Sequence, residues 1–335
     1  MIDFLRRRPV PLILAILLVV SCLQSGVRAE PAALPAQDWN LQNLKRIQSL
    51  KLSDPVTFAV LGDNRDNFPV LEQVLRKIAA DPGVKFAIHL GDLVQQGDLG
   101  RYRHFLQAVR QNLSLPLLAV IGNHELKEDP EGKLYTGIFG SRNFSFSLGE
   151  HYFIIFDDTA KAGPDAAQIR WLETELQKGQ RYQTRLVFLH VPLFDPRGGE
   201  HHHCLPPESA ARLLALFKEY RVTCVFAGHI HSYFEGRWDG VPYAIAAGAG
   251  AKLYGTDPRH YFYHYLRVTL KGDQVQIQVR RLGEEVSQDL QPDRKFCKRT
   301  RAGHRAPLGI PPRRGVCATD LISVFLRLCV RLFFS

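Results

Sequence analysis

Five short apolar runs, each closing on Asp, Asn or His, constrain the fold of this 335-residue chain more than any other feature of it. Residues 56–61 lead into Gly62 and Asp63, residues 86–90 into Gly91 and Asp92, and residues 117–121 into Gly122, Asn123, His124 and Glu125. Residues 186–189 lead into His190, and residues 222–227 into Gly228, His229, Ile230 and His231. Short runs rich in β-branched and aromatic residues, bounded by turn residues, read as buried strands. One Asp after a strand is usually a helix cap; five polar strand ends in one chain exceed what capping explains. Open α/β sheets bind ligands in the crevice outside the carboxyl ends of their strands, so two carboxylates, an amide and several imidazoles should converge there. A leading glycine lets the backbone swing the next side chain toward that crevice.

Between these runs, helical periodicity predicts helices over residues 70–80, 102–111, 166–177 and 206–220, and alternation about Gly149 and Gly272 predicts two hairpins. Parallel units followed by antiparallel strands predict an α/β fold of mixed sheets packed as a sandwich. A hydrophobic fraction of 45% excludes disordered and fibrous classes, and there is no internal repeat.

The net charge of +10 invites a nucleic-acid or membrane reading until it is located. Arg6, Arg7 and Arg8 against Asp3 put +2 on residues 1–8, and ten Lys/Arg against Asp320 put +9 on residues 294–335. Residues 9–293 therefore carry −1. A near-neutral body lacks the basic face that phosphate-backbone neutralisation needs, so nucleic acid is not expected as a partner.

The ends carry different expectations. Arg6–Arg8 followed by an apolar run over residues 10–20 reads as a secretory signal over residues 1–29. Cleavage falls either before Glu30 or, as in a bacterial lipoprotein, before a lipidated Cys22; the alternative is an uncleaved membrane anchor. Export follows: periplasmic or lipoprotein-anchored in a bacterium, secreted otherwise. Residues 30–54 read as a linker, residues 55–282 as the folded domain, and residues 283–335 as a basic tail, either poorly ordered or membrane-associated as an amphipathic helix. Cys204 and Cys224 are either a disulfide or free thiols.

The order Asp63, Gly91-Asp92, Gly122-Asn123-His124-Glu125, His190, Gly228-His229-Ile230-His231 resembles the calcineurin-like metallophosphoesterase superfamily. The resemblance spans about 180 residues, and it implies a four-layer αββα sandwich of two packed mixed β-sheets flanked by helices. It also implies metal-dependent hydrolysis of phosphate esters, with a metal-activated water or hydroxide as nucleophile, and with the near-neutral body it favours a small phosphorylated substrate. Two transition-metal ions are implied, with Asp92 bridging them, Asn123, His190 and His229 completing one, and Asp63 and His231 holding the other. Mixed carboxylate, amide and imidazole ligation suits Mn, Fe or Zn. His124 is implied to face the substrate, with Glu125 orienting it.

One motif departs from the pattern. The commoner family form is Asp-x-His, whereas Asp63-Asn64-Arg65 puts a guanidinium where an imidazole is expected, and Arg offers no lone pair to a metal. The purple acid phosphatase alternative, a Tyr three residues after the bridging Asp, is absent too, since that position is Gln95. Arg65 then either forks onto phosphate oxygens or pairs with Asp66 or Asp98, and the Asp63/His231 site is expected to be the weaker. A degenerate site that binds a phosphorylated ligand without turnover is the alternative. His201-His202-His203-Cys204 reads as a substrate contact or an adventitious metal tract, residues 248–252 as a flexible loop beside the crevice, and Tyr261, Phe262, Tyr263 and Tyr265 as sheet packing. Loops 127–142 and 194–207 are expected to shape the substrate pocket.

Overall fold

The computed structural model describes residues 33–50, 54–198, 203–283 and 295–297. The expected signal segment, His201, His202 and most of the basic tail lie outside the described residues.

Two six-stranded mixed sheets form the centre of the domain. The first has the order β12 (Lys295–Cys297), β11 (Gln274–Arg281), β10 (His264–Lys271), β1 (Val56–Leu61), β2 (Ala87–His89), β3 (Leu117–Ala119). The second has the order β4 (Phe144–Leu148), β5 (His151–Ile155), β6 (Thr184–Phe188), β7 (Cys224–Ala227), β9 (Val241–Ala246), β8 (Tyr233–Trp238). β1, β2 and β3 run parallel in one sheet, and β5, β6, β7 and β9 in the other. All the strands that end in the polar motifs therefore point their carboxyl ends the same way within each sheet.

Strand alternation divides the core. In β1, Phe58 and Val60 face the second sheet, while Ala59 and Leu61 face the helices outside. The inter-sheet layer is an aromatic stack in which Phe58 lies on Phe86 at 5.1 Å, Phe153 on Phe188 at 6.0 Å and Phe188 on Phe226 at 5.0 Å. Burying each such ring contributes about 1.5–3 kcal/mol.

Helices cover both outer faces. Against the first sheet pack α1 (Trp39–Gln48), α2 (Phe68–Ala80), α3 (Leu99–Asn112) and α4 (Lys133–Phe139); against the second pack α5 (Ala166–Gly179) and α6 (Pro207–Glu219). α2 buries Leu71, Val74, Leu75 and Ile78, the spacing of one helical stripe. α5 opens on a capping box between Asp165 and Gln168.

Two expectations are corrected. Residues 39–48 are a packed helix rather than linker: the Trp39 indole donates to the Leu117 carbonyl at 2.8 Å, and the Asn40 amide both donates to and accepts from the Ala119 backbone, at 3.0 and 2.8 Å. The 127–142 loop contains α4, which buries Tyr135, Ile138 and Phe139. Cys204 and Cys224 are free thiols, the latter buried in β7. Among the described residues, no helix is long and apolar enough to cross a membrane.

Candidate functional site

The polar residues that close the strands meet in one crevice. Oxygens of Asp63 and Asp92 and a nitrogen of His190 all lie within 4.8 Å of one another, and all three residues are buried. His190 Nε2 stands 3.0 Å from Asn123 Oδ1, 3.2 Å from His229 Nδ1 and 3.3 Å from Asp92 Oδ1. His231 Nε2 is 3.7 Å from Asp63 Oδ1. All six expected ligands are thus gathered in one place.

The backbone is bent to achieve this. Asp63, Arg65, Asp66, Asp92, His229 and His231 all adopt positive φ, six of the nine non-glycine residues that do so among the described residues. Side chains in this region cost roughly 1–2 kcal/mol each, and such strain clusters where function fixes a conformation. Gly122 is required by close approach: a Cβ there would sit 2.3 Å from the Asp92 nitrogen.

The electrostatics call for a cation. Burial, then the neighbouring charge of Asp92, pushes the Asp63 carboxyl well above the usual carboxylate range. Burial opposes ionisation of Asp92 as well, but His190 and His124 hold its carboxyl below the usual range. Two buried carboxylates in contact are costly without a compensating charge, and they are what a hard or borderline cation seeks. Burial lowers His229 to about 3 and His231 to about 4, so both imidazoles are neutral near pH 7, as metal ligation requires. The Asp63, Asp92 and His190 donors fit one Mn, Fe or Zn ion, with Asn123 Oδ1 and His229 Nδ1 beside His190 Nε2. The expected second set fits poorly, because Arg65 Nη1 lies 3.1 Å from His231 Nε2, the atom that would ligate.

Arg65 pairs with neither Asp66 nor Asp98; Arg101 holds both. The second anchor of Arg65 is Gln95 Oε1, 3.1 Å from Nε. Glu125 does not orient the His124 ring. Its buried carboxylate accepts from the backbone N–H groups of Gly122, Asp92 and Val94 at 2.6, 2.9 and 3.2 Å, and burial followed by the Asp92 charge raises it to about 8. The His124 ring is oriented instead by the Gln95 carbonyl, 2.8 Å from Nδ1. A carbonyl only accepts, so Nδ1 carries the proton and Nε2 receives the Lys127 ammonium at 2.8 Å.

Several participants escaped the sequence reading. Asp158, fully buried after β5, accepts from His190 N at 3.0 Å and from Val191 N, and so sets the turn that carries His190. The segment 248–252 is fastened rather than loose: Ala249 N donates to the Gly62 carbonyl and Ala251 N to the Asp63 carbonyl, at 2.9 and 2.7 Å. Its Lys252 carbonyl receives His231 Nδ1 at 2.9 Å.

A cavity of about 500 Å³ opens over the site, lined by Arg65, Asp92, Asn123, His124, His229 and His231, with Arg197, His203, Tyr254 and Tyr261 also on its walls. Arg197 and His203 come from the 194–207 loop. Of the expected sheet-packing aromatics, Tyr265 is buried in β10, whereas Tyr261 lines this cavity. Tyr254, 61% exposed, stacks on the His231 ring at 5.2 Å.

A family model described as calcineurin-like phosphoesterase matches residues 56–233. The serine/threonine-protein phosphatase CPPED1 of Danio rerio is 28% identical over 200 residues, covering 54% of this chain and 64% of that protein. A probable cyclic nucleotide phosphodiesterase of Xenorhabdus bovienii is 25% identical over 204 residues, covering 57% and 75%. Among solved structures, the purple acid phosphatase PPD1 of yellow lupin (Lupinus luteus) superposes with a TM-score of 0.56 at 15% identity, covering 69% of this chain and 52% of its own, a likeness of fold. The chain thus spans less than two-thirds of the length of the Danio rerio relative and about half that of the lupin protein.

Proposed function

The chain belongs to the calcineurin-like phosphoesterase family, and on that premise we propose that it hydrolyses small phosphate esters with a metal ion held in the crevice. The observation that carries this reading is the convergence of Asp63, Asp92 and His190 within 4.8 Å, buried beneath a cavity lined by cationic and imidazole groups. The near-neutral body supports a small ester over a nucleic-acid polymer.

Asp63, Asp92 and His190 would hold the ion, with Asn123 and His229 beside them, and the chemistry of the donors suits Mn, Fe or Zn. When bound, such an ion supplies Lewis acidity to the phosphoryl group and acidifies water. Arg65 presents its guanidinium fork to phosphoryl oxygens from the cavity wall. His124, its Nδ1–H tied to the Gln95 carbonyl, holds the Lys127 ammonium at Nε2, and this pair is the proton source for the leaving oxygen. Glu125 and Asp158 touch no substrate; they fix the turns that carry Asp92 and His190. The contact of Arg65 with His231 also supports a second reading, in which a phosphorylated ligand is bound without turnover.

The test is hydrolysis of p-nitrophenyl phosphate and bis-p-nitrophenyl phosphate by the metal-loaded chain, with Asp92→Asn as control. Turnover of either ester that Asp92→Asn abolishes supports the hydrolase. Phosphate binding without turnover of either selects the second reading.

We also propose that the protein acts after export, which the Arg6–Arg8 and 10–20 pattern supports, with a lipid on Cys22 or the basic tail as the membrane contact. Mass spectrometry of the mature N-terminus distinguishes cleavage before Glu30 from a lipidated Cys22.

A further inference from the structure

His231 has a fixed tautomer. Its Nδ1 lies 2.9 Å from the Lys252 carbonyl, which only accepts, so Nδ1 carries the proton and the lone pair is on Nε2. That lone pair faces Arg65 Nη1 at 3.1 Å. A guanidinium keeps its protons at any ordinary pH, so the contact is an N–H donated to Nε2, and one lone pair cannot accept a proton donor and bind a metal together.

Arg65 is pinned at both ends of its head group, by His231 and by Gln95, on a backbone with φ of +43°. The nearby acids that would draw it off, Asp66 and Asp98, are both taken by Arg101. One divalent ion balances the two buried carboxylates Asp63 and Asp92, which leaves the guanidinium charge for a phosphoryl group. A second divalent ion beside an obligate cation would place three positive centres against the same two carboxylates.

We propose that the chain holds a single metal ion, on Asp63, Asp92 and His190 with Asn123 and His229 beside them, and that Arg65 stands in place of a second ion by capping His231 and contacting the phosphoryl oxygens. The proposal rests on the reading of the crevice as a metal and phosphate site. It makes Arg65 a catalytic residue that replaces Lewis-acid charge with a fixed hydrogen-bonding fork.

The experiment counts ions independently of turnover. The full chain is loaded with Mn(II), freed of excess, and its metal content measured beside its electron paramagnetic resonance spectrum. The wild type is expected to hold one equivalent with the spectrum of an isolated Mn(II). Arg65→His, which releases His231 and adds an imidazole, is expected to hold two equivalents with an exchange-coupled spectrum. Two tight equivalents in the wild type, none at all, or a single one in folded Arg65→His overturns the proposal; the wild-type count stands even where the variant fails to fold. A single ion without ester hydrolysis fails only the hydrolytic reading, whereas two ions with hydrolysis fail only the role given to Arg65.

Discussion

The Glu125 carboxylate receives the backbone N–H of Asp92 at 2.9 Å, with the N–H groups of Gly122 and Val94 on the same side chain. A residue adjacent to His124 thus fastens the turns after β2 and β3 together from beneath. Glu125→Ala leaves three buried N–H groups unpaired, each costing about 1–3 kcal/mol. A marked drop in the urea midpoint is expected, and an unchanged midpoint contradicts the role.

Asp158 does the same for His190. Asp158→Asn is expected to weaken metal affinity about 10- to 100-fold, as losses of supporting hydrogen bonds do, while the fold stays intact. Metal titration followed by circular dichroism separates the two effects.

His124→Ala is expected to keep its metal and lose turnover by roughly 10²- to 10⁴-fold, the range of general acid–base contributions. Lys127→Met should share the defect at lower pH sensitivity, because both side chains serve one proton. Metal analysis beside kcat checks this; a variant that loses both metal and turnover places His124 in the ligand set instead.

Acid sensitivity should come partly from outside the crevice. Burial lowers the His264 imidazole to about 4. The unfolded imidazole takes up a proton below its ordinary pKa of about 6.5, while the folded one stays neutral to about 4. The unfolded state therefore binds more protons in that window, and stability falls as pH is lowered through it, by about 3 kcal/mol for this group. His264→Gln should flatten the stability profile between pH 6.5 and 4, measured by urea denaturation at a series of pH values.

The strand ends were legible because each combines an apolar run, usually a glycine, and a ligand-type residue, and both the sandwich and the gathering of the six side chains follow from them. What stayed hidden lacked such local marks. Asp158 follows β5 beside Asp157, where an acidic pair reads as a cap, and its partner His190 is 32 residues away. Gln95 acts through two long-range contacts and Lys127 through one loop contact, and no period reveals any of them. Adjacency of His124 and Glu125 suggested a pair, but neighbours on a tight turn point apart. α1 has few apolar residues, and its docking depends on Trp39 and Asn40 bonding to β3. The choice of Arg65 among its partners turned on Arg101, which spacing alone could not rank.

The dependence of turnover on bound metal bears most directly on the proposed hydrolase. The full chain, stripped with a chelator and then resupplied with Mn or Zn, should lose and regain hydrolysis of p-nitrophenyl or bis-p-nitrophenyl phosphate, in proportion to metal bound. Hydrolysis that persists in the stripped protein, or that never appears in the loaded one, would contradict it.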